Sequence, residues 1–141
     1  MKIVITEPYS LPSKARLKAA GFDVHEDAAA LTDAEILLIR SKTEINKELL
    51  DRAPRLKMIV TATSGFDHID WRLCKERGIL ATYTPSANAQ STAELTIGLM
   101  IALERQLMLA HKNVRGSKWR EGLKRPHGLD GKILGIIGLG H

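Results

Sequence analysis

Aromatic side chains are scarce in this chain, with two Trp, two Tyr and two Phe among 141 residues. Its core has to be built from Leu, Ile, Val and Ala, which suits the close-packed layers of an α/β fold better than a stacking surface for nucleic-acid bases. Cysteine is rarer still. The single Cys74 has no partner for an internal disulfide. No basic segment followed by an apolar stretch opens the chain, and both absences fit a reducing cytoplasm. No apolar run is long enough to span a bilayer, since the greasiest stretch, residues 95–103, is bracketed by Glu94 and by Glu104 and Arg105. Internal repeats and low-complexity tracts are absent. Acids are lacking in one place in particular. Between His111 and His127, six cations (Lys112, Arg115, Lys118, Arg120, Lys124 and Arg125) face only Glu121, so this arm accounts for the whole net charge of +5. It could touch phosphates, but only Trp119 is interleaved for stacking, and a solvated connecting segment is the expectation.

What is present has a clear rhythm. Residues 2–6 form a β-branched run, Pro12 opens a first helix and Gly21 closes it, and residues 22–25 make a second short strand. Residues 35–39 are apolar on both faces, as a buried parallel strand requires, and Arg40 ends them abruptly. A helix over 45–53, a strand over 56–61, a helix over 69–77 and a strand over 78–82 complete the alternation of a doubly wound parallel sheet. Beyond Thr84 and Pro85, Asn88 or Ser91 caps a long apolar helix reaching about Leu109, with Ser91-x-x-Glu94 as a capping box. After the basic arm, Asp130-Gly131-Lys132 turns into a last strand over 133–137, followed by Gly138 and Gly140 as the opening of a phosphate-binding glycine turn.

Ligands of open parallel sheets gather where strands end and their loops splay. Read in order, those ends carry Glu7, then Arg40 and Ser41, then residues 61–67, then residues 83–85. Arg40 can hold a carboxylate or phosphate with two donors, and Thr63-Ser64-Gly65 offers hydroxyls and amides without steric obstruction. Together they predict an anion site. Asp67-His68-x-Asp70 is poorly spaced for a metal or a catalytic dyad, because Asp70 simply caps the helix that starts at Trp71. Cys74 and the histidines at 25, 111 and 127 carry structural or solvent roles. A phosphoacceptor receiver would need paired acids after the first strand and an Asp after the third, but Glu7 stands alone and Arg40 fills the second place.

Several runs, taken jointly, resemble one family. They are residues 39–43 (Ile-Arg-Ser-Lys-Thr), 61–70 (Thr-Ala-Thr-Ser-Gly-Phe-Asp-His-Ile-Asp), Gly78-Ile79, Thr84-Pro85-x-x-Asn88, Ala93-Glu94, and 131–140 with Gly131, Lys132, Gly135, Gly138 and Gly140. The chain is similar throughout to the D-isomer-specific 2-hydroxyacid dehydrogenases. Its Arg-Ser-x-Thr and Thr-Ala-Thr-x-Gly-x-Asp-His elements resemble the branch acting on phosphorylated acids, phosphoglycerate and erythronate-4-phosphate dehydrogenases among them. The resemblance implies a flavodoxin-like substrate domain over 1–87. It implies that residues 88–141 are a crossing helix, the basic arm and the first strand of an incomplete NAD-binding Rossmann domain. It places substrate contacts on Arg40, Ser41, Thr63, Ser64, Gly65 and Asn88, and cofactor contacts on Ser64, Gly138 and Gly140. It implies NAD as cofactor and a homodimer through the helix of residues 88–110. The family's catalytic arginine, acid and histidine are expected beyond residue 141, so the chain alone is expected to be catalytically silent. The competing class is a non-catalytic flavodoxin-like module for anion binding or interaction, and a nucleic-acid module built on the basic arm ranks third.

Overall fold

In a computed structural model that describes residues 1–125 and 128–138, the chain divides into two compact units, Met1–Ala87 and Asn88–His141. The first unit is a five-stranded, wholly parallel sheet: β1 (Lys2–Ile5), β2 (Asp23–His25), β3 (Ile36–Ile39), β4 (Met58–Thr61) and β5 (Leu80–Tyr83), in the order β2-β1-β3-β4-β5. This is the flavodoxin-like doubly wound arrangement. Its centre is buried for the reason the composition suggests: all four residues of β3 are buried, so each face of the sheet needs its own cover.

Helix α1 (Leu11–Ala19) supplies Leu17 to one face, where Ile3, Ile5, Ile36 and Leu38 form a cluster. Helices α2 (Lys47–Arg52) and α3 (Trp71–Glu76) supply Leu50 and Cys74 to the other, against Val4, Leu37, Ile39 and Ile59. Each helix start is held by a short polar side chain. Ser10, Asn46 and Asp70 accept from the amides of Ser13, Leu49 and Leu73. Gly21, expected to end the first helix, lies just past α1 with φ +83°, which only glycine adopts without strain.

The second expected helix is shorter at its start than 45–53. Ile45 lies outside it, in a parallel bridge with Ile69, because its amide and carbonyl are drawn to His68 and Asp70. A 3-10 turn (Ala28–Asp33), capped by Asp27, precedes β3 where no helical element was expected.

The second unit departs further from expectation. Its apolar helix is two helices, α4 (Ala89–Glu104) and α5 (Leu107–Arg115), parted at Gln106, whose backbone is left-handed (φ 50°). The break has a cause: the Gln106 amide group donates to Lys124 O at 2.8 Å and accepts from Lys124 N at 3.1 Å. Ser91 lies inside α4, so the capping box does not form, and Glu94 instead accepts from Gln90 at 3.0 Å. The basic arm is not a free connector either. Its first residues, up to Arg115, belong to α5, and the buried Asn113 donates to Glu121 O at 2.6 Å, folding the chain back. Residues 133–137, expected as a strand, pair with no neighbour and form none, since a ladder needs a second strand alongside.

Stability of the first unit rests on the central strands. Leu37→Ala, which empties a fully buried site in β3, is expected to cost about 2–5 kcal/mol, read as a fall in the urea midpoint without loss of slope.

Candidate functional site

The carboxyl ends of β1, β3, β4 and β5 carry the polar groups of the first unit. β3 and β4 end level, with Ile39 opposite Thr61, and the Ala62 amide extends the ladder by one bond to Ile39 O at 2.9 Å. Arg40 and Ser41 therefore leave the sheet beside residues 62–65. The two loops are stitched a second time further out, where Ile45 N donates to His68 O at 2.8 Å and Asp70 N donates to Ile45 O at 3.1 Å. Arg40, Ser41, Thr63, Ser64 and Gly65 thus belong to two adjoining loops, each pinned at both ends.

Glu7 organises the first loop. Its carboxylate accepts from the amides of Arg40 (2.8 Å), Thr43 (3.0 Å) and Lys42 (3.2 Å), and the hydroxyls of Thr6 and Thr43 meet at 2.8 Å. Partial burial alone would raise its pKa, but the Arg40 amide, the Thr43 hydroxyl and the amides of Lys42 and Thr43 together hold it below the ordinary carboxylate value. Tyr9 closes the base of the loop by donating to Ile39 O at 2.9 Å. Burial pushes the Tyr9 hydroxyl upward in pKa, against the pull of the nearby Arg40 charge. Among the described residues no carboxylate comes within ion-pair distance of the exposed Arg40 guanidinium.

The second loop is held by hydroxyls. Thr61 meets Thr63 at 2.6 Å and His68 Nε2 at 3.0 Å, Thr63 Oγ1 donates to Gly65 O at 2.7 Å, and Ser64 Oγ reaches Thr84 O at 3.5 Å. Phe66 anchors the far side by packing on Tyr83 (ring centroids 4.9 Å) and Trp71 (5.4 Å). Gly65 itself is unexplained by folding. Its φ lies outside the left-handed region, and an added Cβ would meet no atom within 4 Å.

The remaining candidates fall elsewhere. Asp70 Oδ1 is spent on capping α3 (Leu73 N, 2.9 Å). Among the described residues no three His, Cys, Asp or Glu side chains stand together to hold a metal. Burial, with Asp70 beside it, pushes the Cys74 thiol up, which argues against a thiolate site. Asn88 opens α4 in the second unit. Gly138 has φ +98°, as a glycine turn needs, while Gly140 lies outside the described residues. Residues 133–137 form no strand among the described residues, and the positions after Gly138 lie outside them.

Comparison with known proteins decides the family. The description "D-isomer specific 2-hydroxyacid dehydrogenase, catalytic domain" matches residues 3–127. The chain belongs to that family. It is 34% identical to a D-3-phosphoglycerate dehydrogenase of Methanocaldococcus jannaschii, over 99% of this chain and 28% of that protein. The crystal structure of an NADPH-dependent glyoxylate/hydroxypyruvate reductase from Sinorhizobium meliloti, in complex with NADP and malonate, matches 99% of the chain and 46% of its own (TM-score 0.78, 25% identity). The D-lactate dehydrogenase of Aquifex aeolicus, complexed with NAD and lactic acid, matches 84% of the chain and 38% of its own (TM-score 0.73, 28% identity). The chain thus spans less than half the length of each of these relatives. No helix among the described residues is long and apolar enough to cross a membrane.

Glu7 was visible in the sequence only as a lone acid. Because its folded pKa is lowered from 4.5, the stability it contributes is complete above the ordinary carboxylate value and is lost as pH falls through the lowered one. Urea unfolding at neutral pH is expected to find Glu7→Gln less stable by about 1–2 kcal/mol, and the gap is expected to close as acid protonates the wild-type carboxyl.

Proposed function

We propose that the first unit binds the anionic end of a 2-hydroxy or 2-oxo acid of the phosphorylated class. The protein's activity, on this reading, is the oxidoreduction between those two acids with a nicotinamide cofactor, NAD in the first instance. The observation that carries the proposal is Gly65, a glycine that neither its backbone angle nor its packing requires, beside an arginine with no acidic partner among the described residues. A missing Cβ at an open loop lets a ligand approach the backbone closely. Arg40 supplies a forked cation for a carboxylate or phosphate, and Ser41 together with the turn of Thr63, Ser64 and Gly65 completes the contacts assigned around it. The phosphorylated class is supported by the Arg-Ser-x-Thr element and by the names of relatives such as the phosphoglycerate dehydrogenase above. Asn88, at the start of α4, stays with the substrate, and Ser64, Gly138 and Gly140 with the cofactor, in the whole-protein reading that the family resemblance implies.

We also assign α4 to a homodimer. Leu95, Leu99 and Leu103 recur every four residues along it, and each is more than half exposed. A face of this kind is covered by another surface in a stable protein.

Amide spectra of the chain titrated with 3-phosphoglycerate, D-lactate and inorganic phosphate test the site. Shifts are expected to concentrate on residues 40–43 and 63–65 with 3-phosphoglycerate tightest, and shifts confined to the basic arm would overturn the reading. Arg40→Ala is expected to weaken binding by about tenfold or more, with Arg40→Lys between the two, since a point charge replaces a fork. Gly65→Ala is expected to leave stability within about 1 kcal/mol of wild type while binding is lost. For the helix, sedimentation is expected to give a dimer that Leu99→Glu converts to monomer, and a wild-type monomer would refute the assignment.

A further inference from the structure

We infer that His68 is a positioning residue, setting through the hydroxyls of Thr61 and Thr63 which polar groups of the 63–65 turn are left to meet an anion. The inference rests on the anion-site reading above and deepens it. It follows from counting protons along one chain of hydrogen bonds. Gly65 O can only accept, so Thr63 spends its single hydroxyl proton there, at 2.7 Å. The 2.6 Å contact between Thr61 and Thr63 must then carry the proton of Thr61. Thr61 has none left for the 3.0 Å contact to His68, so Nε2 of the ring is the donor. The imidazole is fixed in its Nε2–H form at the head of a one-way chain that ends on a carbonyl. Thr61 is fully buried, so reversing either link at its own hydroxyl alone would set two lone pairs against each other away from bulk water.

The chain governs what the turn presents. Thr63 O is already occupied by the amide and the hydroxyl of Thr84, at 3.1 and 3.3 Å. With Gly65 O bonded to Thr63 as well, the carbonyls on both sides of Ser64 are held within the protein. A carbonyl swung outward would put its negative end against a carboxylate or phosphate, and glycine resists that rotation less than any other residue. The ring keeps its place because its own residue is clamped, with His68 O accepting from Ile45 N and Phe66 O accepting from Ile69 N at 3.0 Å. Within the Asp67-His68-x-Asp70 run, the histidine thus keeps carbonyl oxygen away from the ligand.

The test has a ligand-free arm and a ligand arm. In the nitrogen-15 spectrum of the intact chain at mildly alkaline pH, the His68 ring is expected to show a protonated Nε2 and a bare Nδ1, and the reverse pattern would overturn the inference. In the second arm, 3-phosphoglycerate is titrated against wild type, His68→Gln and His68→Leu. Glutamine sets an N–H where Nε2 stood and is expected to keep affinity within about threefold, while leucine is expected to lose about tenfold. Thr61→Val breaks the same chain at its middle and is expected to match leucine, which covers the case of a leucine variant that does not fold. Equal affinity in wild type, His68→Leu and Thr61→Val would overturn the positioning role while leaving the anion site standing. No affinity in wild type would overturn the anion site and the role built on it, whatever the ring spectrum shows of the donor chain.

Discussion

Ile39 and Thr61, paired at the exit of the two central strands, set the level at which everything polar in the first unit begins. Both are fully buried, so neither can move outward without opening the core on the side where α2 and α3 pack. The residues after them, Arg40 and Ala62, are consequently the first exposed positions on adjacent strands. Tyr9 seals the junction from the opposite face, and the bonds linking Ile45, His68 and Asp70 close the two loops at their far ends. Loops pinned in this way have already met much of the entropic cost of ordering, so a ligand that meets them gives up little binding energy to organise them.

A carboxylate at the base of the proposed anion site looks like a contradiction, but its bonds resolve it. Glu7 is the anion of the 40–43 loop: it draws in the amides at 40, 42 and 43 that would otherwise attract a ligand. On the proposed reading, attraction for an external anion is thereby left to the Arg40 side chain. This moves recognition from a backbone nest, which accepts any small oxyanion, to a planar fork with a preference for carboxylate or phosphate geometry. The Thr63 turn complements it by tying down carbonyl oxygen. The two loops reach the same electrostatic result by opposite means, one with an internal acid holding amides and the other with hydroxyls holding carbonyls.

The parallel sheet was legible in the sequence because β3 is apolar on both faces, and the caps at Asp70 and past α1 were legible because capping chemistry is local. The candidate loops were legible for the same reason: they follow strand ends that periodicity alone locates. What escaped depends on partners distant in sequence. Glu7 acts on residues more than thirty positions away, Ile45 is pulled from its helix by the His68 segment, and Gln106 breaks α4 by pairing with Lys124. His68 was readable as a loop residue, but its role depends on a hydrogen-bond direction that only a complete set of partners defines. Residues 133–137 show the converse limit, since strand propensity predicts an element only where a neighbouring strand exists to pair with it.

The two units differ in what holds them. Among the described residues, the first carries all seventeen buried apolar ones, whereas the sole buried side chain of the second is Asn113. Polar clamps link distant parts of the second unit, Gln106 with Lys124, Asn113 with Glu121 and Lys132 with Glu104. Ordering a residue costs roughly 1–2 kcal/mol, and a net hydrogen bond returns only about 0.5–1.5 kcal/mol, so clamps of this number cannot sustain two helices alone. Burial of α4 can, because each large aliphatic side chain taken from water contributes about 1.5–3 kcal/mol. On the dimer reading proposed above, the exposed leucines of α4 supply the apolar burial that the second unit lacks among its described residues.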